Sequence, residues 1–185
     1  MVDRQIAPSL KPRKDLTAEF VKSIFDYDLL SGLFRWKERI DVAPQWADRW
    51  NRRYAGKIAG TLDGKGHLYV RIFRRRYYLH RLAWLIVTGD WPARDIDHRD
   101  TDGTNNRFAN LRQATDAQNN FNRPKRRDNT SGYKGVTFHK GTAKWLAQIK
   151  AGRSKRYLGL FDLPEDAHVA YCEAARELHG DFAHF

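Results

Sequence analysis

The chain has one cysteine, Cys172, in 185 residues. No intrachain disulfide can form, so neither a secreted disulfide framework nor a cysteine-built zinc cluster is expected. Long apolar runs are missing as well, and none approaches the ~18 residues of a membrane-spanning helix. Residues 1–14 are mixed and polar, carry Pro8 and Pro12, and lack the apolar stretch of a signal peptide. There is no internal repeat and no low-complexity tract. Acidic residues are in deficit: 22 Asp plus Glu stand against 34 Lys plus Arg, a net charge of +12. Such an imbalance favours polyanionic partners, of which nucleic acid is the commonest. Hydrophobic residues at 41%, with six Trp, eight Tyr and ten Phe, suffice for a core and exclude disorder throughout.

The tail 1–15 is expected to be flexible. A helix is expected over 16–30, capped by Thr17, with Phe20, Val21, Ile24 and Phe25 as its apolar stripe. A short strand follows over 32–36, and the Trp- and Arg-rich stretch 40–55 reads as loop. Strands are expected over 57–61 and 67–79, with GKG at 64–66 as the turn between them and Arg74, Arg75 and Arg76 as an exposed hairpin tip. A helix over 80–87 is stopped by Gly89 and Pro92. Residues 95–98 are extended, 99–114 are loop-like, and Thr115 caps a helix running towards Arg123. The basic stretch 123–132 reads as a linker. Beyond it come three strands (133–139, 144–150, 155–161) and a helix over 164–179.

The most specific pattern lies in the middle of the chain. His98 precedes Asn110 by twelve residues, and Asn110 precedes Asn119 by nine. Around them stand HRLAW at 80–84, DH at 97–98, NN at 105–106, NL at 110–111 and QN at 118–119, five short elements in order. A calcium loop at Asp100 to Gly103 fails, because its register would need a carboxylate at His98 and Glu at Ala109. His168 and Cys172, four apart on a helix, are two ligands without partners and suit a packed or exposed helix face better.

Over residues 79–122 this pattern resembles the His-Asn-His endonucleases of the homing and phage type, with their beta-beta-alpha-metal motif. The resemblance implies that His98 is the general base and that Asp97 and Asn119 are the metal ligands. It implies that Asn110 fixes the loop, and through it the imidazole. Asn119 stands where many members have His. The residue types suit the chemistry. Imidazole, with a pKa near ~6.5, accepts a proton from water at neutral pH. A carboxylate and an amide oxygen suit a hard divalent cation, Mg²⁺ first and Mn²⁺ as the alternative. On an extended segment Asp97 and His98 point to opposite sides, so a twist is expected there. His80, at the start of HRLAW, reads as a phosphate or centre contact or equally as a structural hydrogen bond, and is left outside the catalytic set.

Residues 133–161 hold seven Lys or Arg and no acid, whereas 162–181 hold six acids and only Arg176 as a base. The sheet is cationic and the helix anionic, so the sheet face turned from the helix should be positive. The motifs YKGV (133–136), KWLAQIK (144–150), YLGLF (157–161) and EDA (165–167), with Ala170, Tyr171, Ala174, Ala175, Leu178 and Gly180, resemble the plant Apetala and ethylene-response-factor DNA-binding domain. That resemblance implies a three-stranded sheet in the major groove, with Lys134, Thr137, His139, Gln148, Lys150, Lys155 and Tyr157 facing DNA. Thr137 and His139 replace arginines of the plant pattern, which favours phosphate contact over bidentate guanine readout.

The expected architecture is α+β. It comprises a tail (1–15), a nuclease domain (16–122), a linker (123–132), and a DNA-binding domain (133–185) whose three-stranded antiparallel sheet packs on one helix. The expected function is metal-dependent hydrolysis of double-stranded DNA inside a cell, with no membrane and no export, leaving 5′-phosphate and 3′-hydroxyl ends. Arg74, Arg75 and Arg76 supply further phosphate contacts. One site per chain suits nicking, for which a monomer suffices, whereas cutting both strands needs a dimer or two successive events. The alternative is a non-catalytic DNA-binding regulator on a decayed nuclease fold, against which the intact Asp97, His98, Asn110 and Asn119 speak.

Overall fold

A computed structural model describes residues 16–40, 43–152 and 154–185. The tail expected over 1–15 lies outside the described residues. The chain is α+β, with several small antiparallel sheets, and forms two compact units, 1–113 and 114–185.

The first unit begins with α1 (Ala18–Ile24), whose N-cap is Thr17 as expected: its hydroxyl accepts from the Phe20 N–H at 3.2 Å. The helix stops at Ile24, short of the expected 30. Phe25 adopts extended backbone and opens β1 (Phe25–Tyr27), which pairs antiparallel with β2 (Phe34–Trp36). Cross-strand ring packing favours the hairpin over further helix: the Phe25 ring lies 4.4 Å from Trp36, and Tyr27 lies 4.7 Å from Phe34. The intervening turn closes on Asp28, which accepts from the Leu30 N–H and the Ser31 hydroxyl. Gly32, at φ +73°, ends it, and a Cβ there would sit 2.3 Å from the Arg107 nitrogen.

The stretch read as loop contains α2 (Pro44–Tyr54), with proline in its first turn. Next comes the sheet β3-β4-β5 (Thr61–Leu62, Leu68–Ile72, Arg75–Tyr78). Its second hairpin tip is Phe73 and Arg74, both at positive φ, while Arg75 and Arg76 lie inside β5. Helix α3 (Leu79–Thr88) follows directly and ends on Gly89 in the left-handed region. Strand β6 (Asp95–His98) pairs with β7 (Leu111–Ala114) after a 3-10 turn at Phe108–Asn110. Val21, Phe25, Phe34, Leu79, Leu82 and Leu85 form the centre of one apolar core.

The second unit opens with α4 (Asp116–Phe121) behind a capping box of Thr115 and Gln118. Strands β8 (Val136–His139), β9 (Lys144–Ala151) and β10 (Ser154–Phe161) form an antiparallel sheet in the order β10-β9-β8. Helix α5 (Pro164–His179) has its expected bounds. Ala167, Tyr171, Ala174 and Ala175 of α5 are buried, as are Val136, Ala147 and Ile149 of the sheet. Gly135, at φ +77°, passes so close that a Cβ would lie 2.1 Å from the Tyr171 ring. The units meet at Gln113 and Ala114 rather than in the expected linker at 123–132. Ties within the second unit give the reason. The Lys134 ammonium donates to the Phe121 carbonyl at 2.7 Å, and the Phe121 ring stacks on His179 at 3.7 Å. No described helix is long and apolar enough to cross a membrane.

Candidate active site and nucleic-acid interface

Strand β6 delivers Asp97 and His98 to opposite sides, as alternation requires. Asp97 turns to β7, where its Oδ2 accepts from Arg112 Nε at 2.8 Å and from its terminal nitrogen at 2.7 Å. Both partners are buried, at 9% and 8% exposure. His98, 5% exposed, turns instead towards two other imidazoles. Its ring centroid lies 5.1 Å from His80, at the start of α3, and 5.7 Å from His67, just before β4. His67 and His80 are 5.5 Å apart, so three histidines from three segments form a triangle. Tyr78 stacks on His80, and its hydroxyl donates to Asp63 Oδ2.

Electrostatics in this cluster favour the neutral ring at His80 and at His98. Burial, then the neighbouring His98 and His67, pushes His80 down to about 3. Its Nδ1 is buried with no hydrogen-bond partner among the described residues. Burial also lowers His98, assisted by His67, while the contact with Asn106 pulls it upward.

The loop after β6 is laced by its own polar side chains. Asn110 Nδ2 donates to Asp100 Oδ1 and to the Asn105 carbonyl, both at 2.9 Å, and its Oδ1 accepts from the Asp100 N–H. Asn105 donates to the other Asp100 oxygen, and Asp102 accepts from the Thr104 N–H and hydroxyl. Burial raises the Asp100 carboxyl, but the bonds from Asn105 and Asn110 outweigh it and hold the group below its ordinary value. Asn106, 1% exposed, is the residue facing His98: its Oδ1 lies 3.4 Å from His98 Nε2. Its Nδ2 donates to the Thr104 carbonyl, and its carbonyl accepts from the Tyr27 hydroxyl at 2.7 Å. Gly103 lets this loop approach the β3-β4 turn, where a Cβ would lie 2.9 Å from the His67 ring.

Of the residues singled out in the sequence, Asp97, His98 and Asn110 therefore fall on β6 and its loop, and Asn119 falls on α4 in the second unit. Among the described residues no group of three His, Cys, Asp or Glu is arranged to hold a metal ion. His67, Asn106 and Arg112 were not foreseen. Only Asn106 stood inside a recognised motif, and the other two carry no spacing signal.

Arg74, Arg75 and Arg76 are all exposed, and the Arg76 guanidinium lies 4.1 Å from the Tyr69 ring. In the second unit the strand register puts Thr137 beside Leu146, His139 beside Lys144, Gln148 beside Tyr157 and Lys150 beside Lys155. All eight alternate with Val136, Ala147 and Ile149, which face α5, so they share the opposite face. Lys134 departs from the expected interface. Its ammonium is taken by the Phe121 carbonyl, and burial lowers it to about 8.

Residues 77–121, which span His80, Asp97, His98, Asn110 and Asn119, match the model of the HNH endonuclease family. Over 107 residues the chain is 34% identical to Protein 3.8 of Escherichia phage T7, an alignment covering 57% of this chain and 88% of the relative. No solved structure matches. The chain belongs to the family of that phage protein and carries an HNH endonuclease domain.

Proposed function

We propose that the protein is a divalent-metal-dependent endonuclease acting on double-stranded DNA, with His98 as general base. The observation that supports this most directly is the setting of His98: a buried imidazole, held below its ordinary pKa and therefore neutral at pH 7, fixed on one side by Asn106. Because Asn106 Nδ2 is committed to the Thr104 carbonyl, its Oδ1 faces the ring. The matching neutral tautomer carries its proton on Nε2 and its lone pair on Nδ1. As general base, His98 accepts the proton of the attacking water. Asn110 is a positioning residue, holding the loop that carries Asn106.

The donor chemistry suits a hard cation. Asp97 offers a carboxylate, the hard oxygen donor that such a cation takes, and already accepts from Arg112. Asn119 is the amide ligand that the family pattern supplies. A bound Mg²⁺ or Mn²⁺ supplies positive charge to the scissile phosphate. Arg74, Arg75 and Arg76 bind flanking phosphates. The resemblance of 133–185 to plant DNA-binding domains, with its cationic sheet face, supports a second DNA contact through Thr137, His139, Gln148, Lys150, Lys155 and Tyr157.

The test is incubation of the full chain with supercoiled plasmid in Mg²⁺ or in EDTA, followed by gel analysis. Relaxation is expected in Mg²⁺ only. His98→Ala should slow it by ~10²–10⁴-fold with DNA binding unchanged. Undiminished cutting in EDTA defeats the metal dependence, and wild-type rates from His98→Ala defeat the assigned base.

A further inference from the structure

Helix α2 stands apart from the histidine cluster and has no part in the mechanism above. One face of it carries Trp46, Arg49, Trp50, Arg53 and Tyr54. At 3.6 residues per turn these span an arc of about 140°, with Asp48, the only acid on the helix, on the far side. The lower part of that face is anchored. The Trp50 ring lies 5.4 Å from Trp36 and 5.2 Å from Tyr54, and Ala47 beside them is 7% exposed. Asn51 exchanges hydrogen bonds with the Arg39 backbone at 2.8 and 3.1 Å, fixing the preceding segment against the helix.

The upper part is open. Arg39, Trp46, Arg49, Trp50, Arg53 and Tyr54 line a concavity of about 320 Å³, with no carboxylate in its lining among the described residues. Guanidinium carbons already lie over two of its rings, Arg39 at 5.7 Å from Trp50 and Arg53 at 5.3 Å from Tyr54. Trp46 has no ring partner among the described residues and is 64% exposed. An indole left in water beside the Arg49 and Arg53 guanidinium groups calls for a ligand with a flat apolar face and negative charge. A nucleotide has both: the base stacks on the indole and the phosphate meets arginine. A duplex keeps its bases stacked on one another, so it would use the arginines and leave Trp46 idle. The volume stands at the small end of the ~300–1,000 Å³ range of ligand pockets, and suits one nucleotide rather than a longer segment.

We infer that this concavity takes one unpaired nucleotide of the DNA substrate, its base stacked on Trp46 and its phosphate held by Arg49 and Arg53. The inference rests on DNA being the substrate and deepens that reading. The nuclease would engage a locally opened or single strand through α2, at a site distinct from the one that contains His98.

The experiment uses the full chain in EDTA, so that binding is measured without cleavage. Fluorescence anisotropy follows three labelled probes of equal length: a mixed-sequence single strand, its duplex, and a single strand of abasic sugar-phosphate. Trp46→Ala should weaken the mixed-sequence strand by ~5–150-fold. Duplex and abasic affinities should stay within about twofold, and Trp46→Phe should restore most of the loss. Arg49→Ala should lower the single-strand salt slope by ~0.7. Equal weakening of all three probes, or an unchanged single-strand affinity in Trp46→Ala, overturns the stacking site. Matching melting curves of the variants exclude unfolding as the cause. Because plasmid cutting is measured separately, a protein that binds as described but never cuts refutes the nuclease reading alone.

Discussion

His80 makes the first unit sensitive to acid, and the size of the effect follows from its burial. Its ordinary pKa is 6.5 and its folded value is about 3. Between those values the unfolded chain binds a proton that the folded chain refuses. Stability is therefore complete above pH 6.5 and falls as the pH is lowered, by up to ~1.4 kcal/mol per unit. From pH 7 to pH 5 the loss from His80 alone is about 2 kcal/mol. For a unit of this size that corresponds to a melting point lower by very roughly 5–15 °C. His98, also lowered, adds to it in the same direction. The contribution of His80 is tested by His80→Phe, which keeps a ring on Tyr78 and removes the buried nitrogen that has no hydrogen-bond partner among the described residues. Thermal unfolding followed by circular dichroism at pH 7 and pH 5 should show a smaller acid loss in the variant, by about 2 kcal/mol. The same acid loss in variant and wild type would refute the reasoning.

Arg112→Ala removes the buried guanidinium that the Asp97 carboxylate faces, and urea unfolding should report a loss of ~3–5 kcal/mol. Gly135→Ala meets both a positive φ and the Tyr171 ring, so the second unit should lose about 2 kcal/mol or more in the same measurement. Replacing Lys150 and Lys155 together by alanine should flatten the salt dependence of duplex binding by about 2 in log–log slope, if each contacts one phosphate. An unchanged slope would remove that sheet face from the DNA interface.

The parts of the fold with strong local punctuation were readable from the sequence. Thr17 and Thr115 cap their helices, Gly89 ends α3, and the alanine spacing of α5 gives its bounds. The misreadings share a cause, which is that long-range packing decided between local options. Phe25 and Tyr27 continue a helical stripe as readily as they alternate in a strand, and only Phe34 and Trp36 on the partner strand settle it. Helix α2 is too rich in arginine and tryptophan for an apolar stripe to stand out. The β4-β5 tip uses Phe73 and Arg74 at positive φ, where Gly or Asn would have announced the turn.

The site divides in the same way. His98 and Asn110 stand out because motif spacing marks them, and Asn110 bonds across the loop that follows β6. His67 lies 31 residues before His98 with no motif between them, so only the folded chain brings the rings together. Arg112, one residue beyond the NL pair, has no such mark, because a buried ion pair across two strands has no signature in one strand.

The lacing of residues 99–110 also bears on the order in which the site is assembled. Every tie among Asp100, Asp102, Asn105 and Asn110 spans ten residues or fewer. Closures of that length take on the order of 10–100 ns and need no sheet or core in place. The three imidazoles come from segments that only the tertiary fold unites, and contacts of that range form late. A variant that loosens the core would thus retain a closed loop while its histidines drift apart. Nuclear magnetic resonance would see native shifts at Asp100 and Asn110 persist after those of the His67 and His80 rings are lost.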